Sequence, residues 1–202
     1  MTAIELRSSR PADDRRTQRT RAAIVAAFRA MVLEQGYDAI TPTRLAAAAY
    51  IGRSTFYEHF SNVDEVLGVS MVRLLGPLVA WTLAPRMDPQ AVEIVQHFWD
   101  NRKIGKAMLT GGARPVVLSI LTERFEAGLA GLRADLRVTA PAASPKLAAA
   151  QLAAGTLAIL ETWLSGRAPG SAAQIASALH AAGYASARAL TVSADAASAA
   201  LG

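Results

Sequence analysis

The spacing of apolar residues along the chain is typical of α-helices. Apolar residues recur at intervals of three and four, as in the run that contains Val117, Leu121, Phe125 and Leu129. Such intervals place the side chains on one face of a helix. No stretch sustains the alternation of apolar and polar residues that a half-buried strand requires. The pattern therefore predicts an all-α fold of about nine helices.

Helix-capping residues predict where the first helices begin and end. Thr17 or Thr20 is a candidate N-cap for a first helix that runs to about residue 35, and Gly36 is its C-cap. Thr41 followed by Pro42 is a typical helix start, because proline fits the first helical position. A second helix is predicted over residues 42–49 and a third over 53–59. Ser61 or Asn62 then caps a fourth helix.

The rest of the chain is predicted to form longer helices. Their starts and ends are marked by proline, glycine and helix-capping residues. One helix is expected to begin at residues 88–89 and another at residue 115. Three more are expected over residues 103–109, 146–164 and 171–188.

This pattern divides the chain into four parts. Residues 1–16 show no periodicity and are predicted to be a disordered basic arm. Residues 17–67 form an N-terminal three-helix unit, and residues 68–190 form a C-terminal helical bundle. Residues 191–202 are rich in alanine and serine and are expected to be a flexible tail.

Composition excludes several classes of protein. Of the 202 residues, 52% are hydrophobic, 18% are charged and none is cysteine. A disulfide scaffold, a cysteine-based zinc site and thiol catalysis are thereby excluded. The first ten residues lack the apolar core of a signal peptide. The longest apolar stretch, residues 74–84, is short and interrupted by Gly76 and Pro77. A soluble, cytoplasmic protein without a membrane partner is expected.

The charge distribution favours a nucleic-acid partner. The formal net charge is +5, and seven arginines lie within the first thirty residues, opposed by three acidic residues. Arginine binds phosphate well. A solvated basic tail that contacts nothing remains the simpler alternative.

The two short helices and the turn between them have the arrangement of a helix-turn-helix. Small and apolar residues are predicted to face the core, namely Leu45, Ala46, Ala49, Ile51, Phe56 and Phe60. Hydrogen-bonding side chains remain on the outer face of the second of these helices, namely Arg53, Ser54, Thr55, Tyr57 and His59. An ordinary corner between two helices, with a merely solvated outer face, is the alternative.

The run ITPTRLAAAAYIGRSTFYEHFSNVDEVL at residues 40–67 resembles the DNA-binding domain of TetR-type transcriptional regulators. The resemblance implies an all-α homodimer that inserts its third helix into the major groove of a pseudo-palindromic operator and responds to a small molecule. Carried over, it implies base contacts from Arg53, Ser54 and Thr55. It further implies phosphate contacts from Thr43, Arg44, Tyr57 and His59, with additional contacts from Arg15, Arg16 and Arg19.

Three residues depart from the pattern of that family. Tyr50 stands in the turn where the family usually has glycine, and this predicts a strained backbone with positive φ. Gly52 replaces the usual serine at the start of the third helix, and Val63 replaces the usual lysine near the start of the fourth. Both changes remove an expected phosphate contact, which predicts weaker binding with a flatter salt dependence.

The C-terminal bundle is expected to hold a small hydrophobic or aromatic effector. Its candidate binding residues are apolar with a few polar groups, namely Met71, Leu75, Trp81, His97, Phe98, Asn101, Met108, Leu121, Phe125 and Trp163. Each of them alone is more simply a core residue. The last two helices are rich in small residues and are predicted to form a dimer interface through Leu152, Gly155, Ile159, Ile175, Leu179 and Gly183. Packing within one chain is the alternative.

No residue pattern indicates catalysis. The chain lacks a glycine-rich phosphate loop and a nucleophile elbow. His97 and Asp100 share a helix face, but two residues are a weak metal-site signal. No enzyme activity, cofactor or metal is expected. The sequence predicts a ligand-responsive DNA-binding regulator, most simply a repressor. The alternative is a helical ligand-binding dimer with a degenerate helix-turn-helix and no specific DNA binding.

Overall fold

The computed structural model describes residues 11–135 and 142–191, and all regular elements in these ranges are helical. The nine α-helices are α1 (Pro11–Gln35), α2 (Pro42–Ala48), α3 (Arg53–His59), α4 (Val63–Leu83), α5 (Gln90–Asp100), α6 (Arg102–Leu109), α7 (Ala113–Asp135), α8 (Pro145–Leu164) and α9 (Ala172–Thr191). A short 3₁₀ turn, Tyr37–Ala39, follows α1. The predicted all-α class is confirmed.

The first helix begins earlier than the sequence pattern predicts. It starts at Pro11 and not at Thr17 or Thr20, since proline is compatible with the first turn of a helix, where its missing N–H is not needed. Arg15, Arg16 and Arg19 therefore lie on a helix, and the prediction of an irregular arm is wrong for residues 11–16. Residues 1–10 of that arm and residues 192–202 of the predicted tail lie outside the described residues.

Local capping explains the end of α1 and the starts of α2 and α4. The Thr41 hydroxyl accepts a hydrogen bond from the backbone N–H of Arg44 at 3.3 Å, and α2 follows with Pro42 in its first position. The Asn62 side chain accepts from the N–H of Glu65 at 2.8 Å and so caps α4. Gly36 ends α1 with φ 76°. These caps act over three or four residues, and the sequence accordingly predicts α2 and α3 to within one residue.

Helix α4 continues through Gly76 and Pro77, where the sequence predicts an interruption. Proline at this position removes the hydrogen bond to the carbonyl of Arg73. Pro77 is exposed and Gly76 is half-buried, so water can satisfy that carbonyl on the Pro77 side of the helix. On the opposite side, Leu75 and Leu78 are fully buried and hold the helix in place.

The helices enclose one continuous apolar core. Phe28 of α1, Leu45 of α2 and Phe56 of α3 are buried where α1 packs on α2, α3 and α4. The second half of the core lies where α7 packs on α4 and α8, and where α9 packs on α4, α5 and α8. Helix α4 is common to both halves, so the predicted domain boundary between residues 67 and 68 lies inside a helix.

Two helices are long and apolar enough to cross a membrane by length and composition alone. They are α4, with mean hydropathy 1.7, and α8, with mean hydropathy 1.4. Half of each apolar stretch is buried within the chain. A helix that is apolar around most of its surface is also typical of a central core position, which α4 has here, whereas α8 keeps one exposed face.

Candidate functional site

The second and third helices form a compact helix-turn-helix. Leu45 and Ala46 of α2 and Phe56 of α3 are buried, as the sequence predicts. The C-terminal end of α3 is held by Arg21 of α1, whose Nη1 donates to the carbonyl of His59 at 2.7 Å. The same guanidinium lies 4.3 Å from the centre of the Phe60 ring. Arg21 therefore fixes the orientation of α3 relative to α1.

The turn between α2 and α3 has the hydrogen bonds of a Schellman motif. The N–H of Ile51 bonds to the carbonyl of Ala46 at 3.0 Å, and the N–H of Tyr50 bonds to that of Ala47 at 3.1 Å. This motif requires a left-handed residue, usually glycine, directly after the helix. Tyr50 occupies that position with φ 55°, so the strained backbone predicted from the sequence is present. Its side chain is 97% exposed.

The outer face of α3 carries several hydrogen-bonding side chains. Arg53, Ser54 and Tyr57 are exposed, whereas Thr55 and His59 are half-buried. The Arg53 guanidinium lies 5.6 Å from the centre of the Tyr57 ring. Glu58 is exposed on the same short helix and reduces its positive charge. The face therefore presents guanidinium, hydroxyl and phenol donors within two helical turns.

The candidate phosphate-binding residues outside α3 differ in their availability. Thr43 and the three arginines Arg15, Arg16 and Arg19 are exposed. Arg44 is exposed too, but its Nη1 donates to the carbonyl of Ala39 at 2.7 Å and its Nη2 donates to the side chain of Gln35. A phosphate contact by Arg44 would therefore use its remaining N–H groups.

The two other departures noted in the sequence have structural consequences. Gly52 is the N-cap of α3 and provides no side-chain hydrogen bond. Val63 is 9% exposed and packs into the core. Neither residue presents a side-chain donor at the protein surface.

Comparison with known families identifies this N-terminal unit. Residues 24–68 match the family model described as bacterial regulatory proteins of the tetR family. The N-terminal domain is of the TetR family. Its match covers the last part of α1, the whole helix-turn-helix and the start of α4. Comparison with curated protein sequences gives no match.

Several solved structures have the same fold over most of this chain. A TetR transcriptional regulator from Streptococcus agalactiae 2603V has a TM-score of 0.53 and 22% identity, covering 85% of this chain and 97% of that one. Native NalD, the secondary repressor of the MexAB-OprM multidrug efflux pump in Pseudomonas aeruginosa, has a TM-score of 0.51 and 21% identity, covering 84% of this chain and 96% of that one. The dihydroxyacetone kinase operon activator DhaS has a TM-score of 0.50 and 17% identity, covering 86% of this chain and 98% of that one. At these identities the likeness establishes the fold, which is that of TetR-type regulators.

The 3₁₀ turn is bonded to α4 within the TetR-type domain and contacts the C-terminal bundle through Asp38. The hydroxyl of Tyr37 donates to the carboxylate of Asp64 at the start of α4. Burial, reinforced by this bonded carboxylate, raises the pKa of Tyr37, so its hydroxyl keeps the proton that it donates. The neighbouring Asp38 lies directly against Gly112 in the turn between α6 and α7, where a Cβ would overlap its carboxylate. Glycine is thus needed at residue 112 so that Asp38 can approach the turn between α6 and α7 this closely.

A cleft of about 390 Å³ opens between the TetR-type domain and the bundle. It brings together half of the predicted effector-binding residues, namely Met71, His97, Phe98, Asn101 and Met108. Met71, Phe98 and Met108 are at most 4% exposed and form its apolar floor. The Asn101 amide donates to the carbonyl of His97 at 3.0 Å. The volume is within the usual range for small-molecule sites.

The other predicted effector residues do not line this cleft. Leu75, Leu121, Phe125 and Trp163 are packed in the core. The Trp163 ring stacks on Trp99 with their centres 4.9 Å apart, and its Nε1 donates to the carbonyl of Gly170 at 2.9 Å. Trp81 lines a different, more open cavity at the far end of α4. Helical periodicity identifies inward-facing residues, but it does not separate those in a cavity wall from those in the core.

Sequence reasoning missed two basic residues of the cleft. Arg29 of α1 and Arg73 of α4 both line it, together with the hydroxyl-bearing Ser70. A signal for the two arginines is present in the sequence, because the residues three and four positions away from each of them are uncharged. An acidic residue at those positions would pair with an exposed helical arginine.

The predicted dimer residues fall into two groups. Leu152, Ile175 and Leu179 are at most 9% exposed within one chain, and the absent side chain of Gly183 makes room for Thr82 of α4. These contacts lie within one chain, and Leu152, Leu179 and Gly183 also border one surface groove between α8 and α9, so their part in a dimer interface stays a prediction. Gly155 and Ile159 are partly exposed, and a Cβ on Gly155 would meet nothing within 4 Å.

Proposed function

We propose that this protein is a ligand-responsive transcriptional repressor that binds a pseudo-palindromic DNA operator as a homodimer. The observation that carries the proposal is the exposed face of α3, where Arg53, Ser54 and Tyr57 project from a helix whose other side is buried. A short helix of this kind, set on a rigid three-helix unit, fits the major groove. The protein acts in the cytoplasm, without a membrane partner, cofactor or enzymatic activity.

The residues of the TetR-type domain divide by the chemistry of their contacts. Arg53, Ser54 and Thr55 at the start of α3 are assigned to base edges, because the first residues of a recognition helix reach deepest into the groove. Contacts to phosphates and the DNA backbone are assigned to residues on α1, α2 and the later part of α3, namely Arg15, Arg16, Arg19, Thr43, Arg44, Tyr57 and His59.

The cleft beside α4 is the proposed effector site. Its floor of Met71, Phe98 and Met108 is apolar, which supports a hydrophobic or aromatic molecule as the ligand. The cleft is lined by α1 as well as by α4, α5 and α6. A ligand that contacts all four helices favours one arrangement of the TetR-type domain relative to the bundle. Its binding is thereby coupled to DNA binding.

The outer faces of α8 and α9 support the proposed homodimer. No Asp, Glu, Lys or Arg stands in residues 147–160 or in residues 168–187. Solvent-facing helices normally carry charged residues on the side away from the core. An uncharged outer face rich in alanine is suited to a second copy of the same two helices related by two-fold symmetry.

The sign of regulation is a separate part of the proposal. NalD is described as a repressor and DhaS as an activator, so the fold is compatible with both. We expect a repressor. Transcription from the promoter upstream of the protein's own gene should then rise when that gene is deleted, and a fall would indicate an activator.

The DNA-binding proposal is tested by removing one arginine from α3. We expect Arg53→Gln to weaken binding to the DNA upstream of the protein's own gene by about tenfold, in line with the loss of a bidentate base contact. Fluorescence anisotropy with labelled DNA, repeated at several salt concentrations, measures the affinity. The matched control is Arg86→Gln, which removes the same charge beyond the far end of α4, about 30 Å from α3, and should leave the affinity unchanged.

Three observations favour a second candidate function, a ligand-binding dimer without specific DNA binding. The turn of the helix-turn-helix is strained at Tyr50, Gly52 gives α3 no side-chain cap, and Val63 is buried. The same titration separates the two functions. Absence of binding at low salt, or equal losses for Arg53→Gln and Arg86→Gln, would support the second candidate.

A further inference from the structure

The cleft between the TetR-type domain and the bundle has an unusual charge distribution. Its ionisable lining residues are Arg29, Arg73 and His97, and no acidic residue lines it. All three side chains are exposed at the rim, above the apolar floor. Within the described residues, neither arginine has a carboxylate oxygen within 4 Å.

The two arginines come from different parts of the molecule. Arg29 belongs to α1 of the TetR-type domain, whereas Arg73 lies on α4, beyond the family match. The residues three and four positions away from each of them along its helix are uncharged, so the helices themselves supply no counter-charge. Two guanidinium groups at one rim, with no carboxylate partner in the described residues, give the cleft a positive potential that a bound anion offsets.

We propose that the effector is an amphipathic organic anion, with an aromatic or aliphatic body on the floor of the cleft and a carboxylate, sulfonate or phosphate held by Arg29 and Arg73. Planar guanidinium groups bind such oxyanions through paired hydrogen bonds. Ser70 and Asn101 supply further polar groups at the same cleft. This inference rests on the proposed function and sharpens the class of ligand beyond an apolar molecule.

The test uses two probes that differ in one group. 8-Anilinonaphthalene-1-sulfonate and N-phenyl-1-naphthylamine share an aromatic body, and only the first carries an anionic group. Each is titrated into the full-length protein and followed by its fluorescence. We expect Arg29→Gln/Arg73→Gln to weaken binding of the sulfonate by about tenfold or more. The affinity for the neutral probe should change by less than about twofold. Raising the ionic strength should also weaken the binding of the sulfonate probe and leave that of the neutral probe unchanged, because the rim is exposed.

Two further variants locate the site. Arg86→Gln/Arg167→Gln removes the same net charge from exposed positions outside the cleft and should leave both affinities unchanged. Leu74 is a half-buried residue of the cleft wall. Leu74→Trp fills the cleft and should weaken the binding of both probes. Circular dichroism and thermal melting identify variants that have lost the fold. Equal weakening of the sulfonate by both double variants, or unchanged probe binding in Leu74→Trp, would overturn the proposal.

DNA binding, measured separately without a probe, distinguishes this inference from the proposed function. If Arg29→Gln/Arg73→Gln loses the sulfonate while the native protein binds no DNA, the anion site stands and the regulator proposal fails. If the native protein binds its DNA but the double variant keeps full affinity for the sulfonate, the regulator proposal stands and the anion site is wrong.

Discussion

At the scale of single residues, the Schellman motif occurs twice in the described part of the chain, with a different residue at its left-handed position in each copy. In the turn after α8, the N–H of Arg167 bonds to the carbonyl of Thr162 and that of Gly166 bonds to Trp163, as in the turn after α2. Gly166 has φ 76° there, whereas Tyr50 has φ 55° in the other copy. A residue with a Cβ is disfavoured in this conformation by about 1–2 kcal/mol. The helix-turn-helix therefore contains a local strain that the turn after α8 avoids.

Replacing Tyr50 by glycine should stabilise the protein. The relieved strain outweighs the cost of a more flexible unfolded chain, about 0.4–1 kcal/mol, and the 97% exposed side chain gives up little packing. We expect Tyr50→Gly to raise the free energy of unfolding by about 0.5–1 kcal/mol in urea titrations. Gly166→Ala is the matched control and should lower it. A loss of stability in Tyr50→Gly would mean that the tyrosine ring makes stabilising contacts.

A serine at residue 52 should restore a phosphate contact. A Cβ on Gly52 would meet only the side-chain oxygens of Ser54 and Thr55, at 3.7 and 3.9 Å, so serine fits without rearrangement. We expect Gly52→Ser to tighten DNA binding by about fivefold through its added hydroxyl. It should also stabilise α3 by a few tenths of a kcal/mol as an N-cap.

Gly52→Ala is the control for this gain, because it adds the Cβ without the hydroxyl. It should weaken the cap and leave DNA affinity no higher than that of the native protein. Equal affinities for the serine and alanine variants, measured by anisotropy, would remove this residue from the DNA interface.

At the scale of elements, the crossing of α4 and α9 depends on one absent side chain. A Cβ on Gly183 would overlap the Cγ2 methyl of Thr82. Thr82 has little freedom to move, since it is β-branched, fully buried, and donates its hydroxyl to the carbonyl of Leu78 at 2.6 Å. Position 183 thus fixes how closely α9 approaches α4.

We expect Gly183→Ala to lower the free energy of unfolding by about 1–3 kcal/mol because of this overlap. The rescue is Thr82→Ser, which removes the Cγ2 methyl and keeps the hydroxyl, and the double variant should recover most of the loss. Gly131→Ala is the control on an open helix face, where nothing lies within 4 Å, and should be neutral or stabilising. Failure of Thr82→Ser to rescue would place the strain elsewhere.

At the scale of the whole molecule, the uncharged outer faces of α8 and α9 predict self-association. We expect the native protein to sediment with twice the chain mass of 21.2 kDa at micromolar concentration. Ala158→Glu should convert it to a monomer, since Ala158 is exposed on the outer side of α8 and a buried carboxylate without a partner is costly.

The control for this prediction is Ala130→Glu, which places the same charge on an exposed site of α7. It should remain a dimer, and both variants should keep the helical content of the native protein. A native protein that sediments as a monomer would contradict the predicted interface.

The sequence by itself determined the all-helical class, the bounds of α2 and α3, and the strain at Tyr50. These features depend on interactions over at most five residues: Thr41 with Arg44, Asn62 with Glu65, and the bonds of the turn at Tyr50. Residue types and spacing therefore specify them. The continuity of α4 through Pro77 was not predicted, because neighbouring helices, and not local preference, hold it.

Only the tertiary structure decided which predicted inward-facing residues share a cavity. The cleft takes Arg29, Met71, Phe98 and Met108 from four separate helices, while Leu121, with the same periodicity, is packed in the core. The order and angles in which α1, α4, α5 and α6 pack are set by contacts between residues far apart in sequence. A helical pattern specifies which side of a helix faces inward. It does not specify which residue lies opposite, and the charge and shape of a binding site depend on that pairing.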